Sequence, residues 1–138
     1  MSFFKYLKKV KGVEKIMQID IDEETLYNYR KRVDPLLMEY INQREVPLTV
    51  EIYKGSIGAS HEYLKDSDAV IGIEVIEHLY ADVLEQVPFN IFGVIKPKLV
   101  IFTTPNSEFN ILFNIESANG FRHPDHKFEW NRKQFKEW

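Results

Sequence analysis

Apolar positions along the chain alternate between two spacings. Ile16 to Ile21, Leu48 to Tyr53, Ala69 to Ile73 and Leu99 to Thr103 are short apolar or alternating runs, and each predicts a strand. Ala69 to Ile73 is wholly apolar, as expected of a parallel strand covered on both faces. Between these runs the spacing becomes helical. Residues 2–11 read as the tail of a helix that ends near Gly12. Asp22 reads as an N-cap, with Glu23 and Glu24 placed for the helix dipole, and Leu26, Tyr29 and Val33 share one face of the helix that follows. Asp34-Pro35 restarts the chain into a second helix, whose apolar side is Leu36, Leu37, Tyr40 and Ile41 and which Pro47 ends. Residues 57–68 are polar and predict a loop with a helical turn.

A further helical stretch runs to about Ile95, where Pro97 stops it. Thr104-Pro105-Asn106 is a turn, residues 107–125 are irregular, and Asn131 caps a last helix with Gln134 in capping-box position. Strands separated by helices mean an α/β fold: a parallel sheet with right-handed crossovers and helices on both faces, the 69–73 strand beside 98–103. Ligands in such sheets sit beyond the carboxyl ends of the strands, here marked by Asp20, Ser56, Glu74 and Thr104.

Composition narrows the chemistry. At 44% hydrophobic and 14% aromatic, the 138 residues can bury a core. Without cysteine, disulfides, zinc–thiolate sites and cysteine nucleophiles are excluded. The net charge of -3 supplies no basic field to wrap long nucleic acid, which leaves open a grip on a single RNA end. No apolar run approaches the roughly 20 residues that span a bilayer, and Met1-Ser2-Phe3-Phe4-Lys5 lacks the pattern of a signal peptide, so a cytoplasmic protein is expected.

The chemistry-bearing residues crowd at the strand ends. Glu74, Glu77 and His78 follow the 69–73 strand at i, i+3 and i+4, a spacing that presents all three on one face of a helix or helical turn. Two carboxylates and an imidazole at one point call for a neutralising cation, against the plainer reading of a solvated helix face. His123 and His126 lie beyond the last strand, and either can complete the set. Mixed carboxylate and imidazole ligands suit Mg²⁺ or Mn²⁺ with open positions. Asp20 is placed to accept from a ribose diol or merely to serve the capping turn of Asp22; the spacing fits both. Gly55-Ser56 lies where an adenine edge would be met. Two basic clusters, Lys5, Lys8, Lys9, Lys11 and Lys15, and Arg122, Lys127, Arg132, Lys133 and Lys136, read first as solvated faces, the second near enough to His126 to meet terminal phosphates.

Three motifs together carry a resemblance: Ile73-Glu74-Val75-Ile76-Glu77-His78-Leu79, Thr104-Pro105-Asn106-Ser107-Glu108-Phe109-Asn110, and Asp125-His126-Lys127-Phe128-Glu129-Trp130. From about Leu7 to Trp138 the chain resembles the catalytic domain of small-RNA 2′-O-methyltransferases, which modify the 3′-terminal ribose of microRNAs, siRNAs or piRNAs. The resemblance implies a class I S-adenosylmethionine-dependent fold. It implies metal ligands Glu74, Glu77, His78 and His126, with Glu77, His78 and His126 catalytic. Asp20 would meet the cofactor ribose, Ser56 its adenine, and Thr104, Pro105 and Asn106 the substrate. The metal would bind the terminal hydroxyls, and His123 or His126 would take the 2′ proton. The implied partners are a single-stranded RNA 3′ end and an Argonaute/Piwi-type protein presenting it, with no DNA and no membrane. No Gly-x-Gly turn is present, so residues 1–138 are expected to form one partial domain lacking the first strand with its glycine-rich turn and the closing strands. The rival readings are a metal-dependent hydrolase with Glu77 as base, and an inactive fragment or interaction module.

Overall fold

Two pairs of parallel strands organise the protein in a computed structural model that describes residues 3–35, 37–115, 117 and 119–138. Contacts divide the chain into two compact units, the first ending at Ala59 and the second beginning at Ser60.

In the first unit, a short helix α1 (Phe4–Leu7) leads into β1 (Lys15–Asp20), which pairs in parallel with β2 (Thr49–Lys54). The crossover between them carries α2 (Glu23–Val33), which packs on both strands through buried Leu26 and half-buried Tyr29 and Val33. Its start follows from Asp22, whose carboxylate accepts the N–H groups of Glu24 (3.1 Å) and Thr25 (3.2 Å) and the Thr25 hydroxyl (2.5 Å). Those bonds, led by the Thr25 hydroxyl, hold the Asp22 carboxyl below its ordinary value. The second helix is shorter than its apolar spacing predicts: α3 is Leu37–Ile41, well short of Pro47. Leu37, Tyr40 and Ile41 are exposed, and Leu36 lies outside the described residues. The segment after α3 is held instead by Arg44, whose guanidinium donates to the carbonyls of Lys8, Val10 and Val13. Of the N-terminal lysines, Lys8 pairs with Glu39 and Lys15 with Glu51.

The second unit opens with a 3₁₀ turn, Glu62–Leu64, inside the predicted loop. β3 (Ala69–Ile73) pairs in parallel with β4 (Leu99–Thr103), the neighbours expected from the sequence. Close strand approach explains Gly72: a Cβ there would lie 2.2 Å from the Phe102 ring of its register partner. The connecting helix α4 (Ala81–Pro88) continues as a π-helix over Phe89–Ile95. Lys96, with φ 56°, and Pro97 then end it. Ile76, Val87 and Ile91 are at most 1% exposed, each worth about 1.5–3 kcal/mol of burial. β3 is less covered than a wholly apolar run suggests, for Ala69 and Ile73 at its ends are exposed. A 3₁₀ stretch, Ser107–Leu112, begins the irregular segment, and α5 (Arg132–Glu137) ends the chain behind the predicted Asn131–Gln134 capping box. Among the described residues no helix is long and apolar enough to cross a membrane.

Candidate metal centre

The turn after β3 is not the single helical face that i, i+3, i+4 spacing predicts. Only Ile76–His78 are helical, in one 3₁₀ turn, and Glu74 stands before it with φ 52°. A non-glycine residue in the left-handed region costs about 1–2 kcal/mol, and such strain collects at functional sites. The Thr103 end of β4 maintains it: Glu74 N–H donates to the Thr103 carbonyl (3.0 Å), and the Thr103 hydroxyl donates to the Glu74 carboxylate (2.8 Å). The break in helical register sends the three side chains to different places. Glu74 is exposed, Glu77 fully buried and His78 half-buried.

Both carboxylate oxygens of Glu77 are buried without a hydrogen-bond partner. So is the Thr104 hydroxyl, which faces the carboxylate and eases its charge without meeting hydrogen-bond geometry. Burial, with the Glu74 charge adding to it, pushes the Glu77 carboxyl above its ordinary value. A buried carboxylate with neither oxygen in a hydrogen bond is costly, and a cation is a group that would satisfy it.

The histidines arrive from the far side of the irregular segment. The Lys127 amide donates to the Glu77 carbonyl (2.7 Å) and folds the 123–130 stretch back over the same strand end. His78, His123 and His126 then converge, with one nitrogen of each within 4.8 Å of the others. Among the described residues, neither Glu74 nor Glu77 joins that close a group.

The ring nitrogens separate the three. His78 Nδ1 lies 2.9 Å from an Asp125 carboxylate oxygen, and His126 Nδ1 lies 2.6 Å from Glu129 Oε1. Both acids are held ionised. Asp125 is lowered by its bonds with Lys127 and His78. At Glu129 burial acts upward, but bonds from Asn110, His126 and the Arg122 amide outweigh it and bring the carboxyl below its ordinary value. An acid at Nδ1 makes that nitrogen the donor of a neutral ring and leaves the lone pair on Nε2, the arrangement that orients metal-binding imidazoles. His123 is the reverse: its Nδ1 accepts the Asp125 N–H at 3.2 Å, so a neutral ring carries its hydrogen on Nε2.

Glu129 was not singled out by the sequence reading beyond its place in the third motif. Besides His126 it accepts the Arg122 amide (2.6 Å) and the Asn110 side chain (2.5 Å), and it is buried. Its i, i+3 spacing from His126 was the available signal. Arg122 belongs to the same network and not to a solvated face, donating to Asn110 (2.7 Å) and to the Asn106 carbonyl (2.7 Å). Lys127 is likewise engaged, with Asp125 and the Tyr80 ring. Arg132, Lys133 and Lys136 line a shallow surface pocket with Glu108 and Glu137.

Of the Thr104-Pro105-Asn106 turn, Pro105 is buried and Asn106 caps the 3₁₀ stretch through Glu108 N–H (3.0 Å). In the first unit, Asp20 ends β1 and Ser56 follows β2, and the two strand ends are joined by the Gly55 N–H to Asp20 carbonyl bond (2.9 Å). One Asp20 oxygen accepts Asp22 N–H (3.0 Å), and the Ser56 hydroxyl oxygen accepts Gly58 N–H (3.1 Å).

No protein-family model matches the chain. It is 50% identical to a small RNA 2′-O-methyltransferase of Drosophila melanogaster over 141 residues, covering all of this chain and 36% of that protein. It is 43% identical to a protein of the same name from Xenopus tropicalis, over 91% of this chain and 34% of that protein. The chain thus spans about a third of the length of the curated relatives it matches. Among solved structures, the small RNA methyltransferase HEN1 superposes with a TM-score of 0.80 at 32% identity, over 97% of this chain and 17% of that one. The methyltransferase domain of a bacterial Hen1 gives 0.72 at 28% identity, over 98% and 65%. The fold is that of class I S-adenosylmethionine-dependent methyltransferases. Matched along its whole length by such relatives and folded like their solved counterparts, the chain belongs to the small RNA 2′-O-methyltransferase family.

Proposed function

We propose that this chain is catalytic-domain sequence of an enzyme that moves a methyl group from S-adenosylmethionine to the 2′-oxygen of the 3′-terminal nucleotide of a small single-stranded RNA. The observation that carries the reading is the buried Glu77 carboxylate, with neither oxygen in a hydrogen bond, on the same turn as His78, whose Nδ1, like that of His126, is already held by an acid. These residues fit a divalent cation, Mg²⁺ or Mn²⁺, which Glu74, Glu77, His78 and His126 would hold. When bound, the ion would neutralise the carboxylates and raise the acidity of the terminal ribose hydroxyls.

The protein groups then divide the remaining work. Asp125 and Glu129 fix the two imidazoles. Thr103 fixes Glu74. Thr104 and Pro105 line the substrate side, and Asn106 shapes that turn by capping. Asp20 would accept from the cofactor ribose with the oxygen left by its turn bond, and Ser56 would lie near the adenine. In the reaction the 2′-oxygen bonds the methyl carbon as the carbon–sulfur bond breaks, the hydroxyl proton passes to water, and S-adenosylhomocysteine leaves. His123 is not suited to take that proton, because its Nδ1 lone pair is occupied and its Nε2 carries hydrogen. On this reading both units belong to one catalytic domain, and an Argonaute/Piwi-type protein presents the RNA end.

The test is methyl transfer to paired RNAs ending in ribose or 2′-deoxyribose. Label should enter only the ribose-ended RNA and render it resistant to periodate, which cleaves a free diol. Equal labelling of the 2′-deoxy end would overturn the assignment.

A further inference from the structure

His123 is brought into the histidine cluster but is prepared for a different task from its neighbours. Its ring lies 5.7 Å from His78 and 5.5 Å from His126, centroid to centroid. Pro124 restricts the His123 backbone to extended conformations. The Asn119 side-chain amide ties down the carbonyls of Pro124 (3.2 Å) and His126 (3.3 Å). The Asp125 N–H then fills the Nδ1 lone pair and leaves an exposed ring with an Nε2–H. An N–H cannot coordinate a cation; it binds an oxygen.

Nitrogens of the three rings lie within 4.8 Å of one another, so a donor at His123 can reach an oxygen held where His78 and His126 meet. We propose that His123 is a substrate-positioning residue whose Nε2–H donates to the 3′-oxygen of the terminal ribose. This rests on the reading that the site grips the terminal diol. The 3′-oxygen fits the donor better than the 2′-oxygen, because a hydrogen bond to the attacking atom would withdraw the electron pair it must use. His123 would thus help the site read a free 3′ end while leaving the 2′-oxygen to react.

Two measurements on the chain test this. Mn²⁺ affinity should be unchanged within about twofold in His123→Ala and fall sharply in His126→Ala. RNA binding with Mn²⁺ present, followed by fluorescence anisotropy, should show wild type preferring a diol end over a 3′-deoxy end. His123→Ala should shrink that preference about three- to tenfold, the value of one hydrogen bond. His123→Gln, whose amide N–H reaches about the same place, should restore part of it. A loss of Mn²⁺ affinity in His123→Ala would make His123 a ligand and overturn the proposal. Unchanged metal affinity with an unchanged diol preference would overturn it too. A wild-type chain indifferent to the 3′-hydroxyl would instead bring down the diol reading on which the proposal stands.

Discussion

At Glu77 the proposed metal role sets function against stability. Its side chain is fully buried with neither oxygen bonded, so without a cation the ionised form opposes folding. Glu77→Gln removes the charge and keeps the shape. The metal-free variant should melt a few degrees higher than wild type, corresponding to about 1–3 kcal/mol, and Mn²⁺ should no longer raise its melting temperature. A variant that melts lower without metal would mean the carboxylate has a stabilising role in the bare fold. At the other end of the chain Asp22 gives a pH signature. Its folded carboxyl lies below the ordinary value, so its contribution is present above the unfolded pKa and is lost as pH falls through the folded one. Asp22→Asn keeps the cap without the charge and should flatten that acid-side loss in circular dichroism, while Asp22→Ala should weaken α2 at every pH. Which of His123 and His126 faces a metal was open in the sequence, because both lie in one short loop. What separates them is the identity of each Nδ1 partner: the Asp125 amide two residues on for His123, and the Glu129 carboxylate three residues on for His126, whose spacing was a signal the motif reading left unused.

Among the elements, β3 and β4 were legible to the residue because a parallel strand reads as a short apolar run with turn residues on both sides. The capped starts of α2 and α5 were legible because capping is local chemistry. The turn after β3 was not: its register is set by Thr103, which is distant in sequence, and so the single face expected of Glu74, Glu77 and His78 does not form. The second helix was overread, since Leu37, Tyr40 and Ile41 stay exposed and Arg44 holds the segment that follows. Two substitutions test the packing described here. Gly72→Ala drives a methyl into the Phe102 ring and should cost about 1–3 kcal/mol in denaturant unfolding. Glu129→Ala takes the anchor from His126 and from the Arg122 loop. It should lower Mn²⁺ affinity about 10- to 100-fold and open residues 106–129 to limited proteolysis before the strands are attacked.

For the molecule as a whole, the family and the fold rest on likeness along the full chain, whereas the ion rests on chemistry at one strand end. The four strands, which pair two by two, were legible in the alternation of runs, and acids and histidines crowd beyond the strand ends, where the site is proposed. The strained turn, the orphaned carboxylate and the two acid-held imidazoles give that crowding its physical meaning. The most direct measurement of the central claim is an anomalous difference map from crystals soaked in Mn²⁺. The account predicts one strong peak at the end of β3, about 2.0–2.3 Å from carboxylate oxygens of Glu74 and Glu77 and from Nε2 of His78 and His126, with His123 outside the coordination sphere. A peak coordinated by His123 in place of His126, or no peak at this strand end, would contradict it.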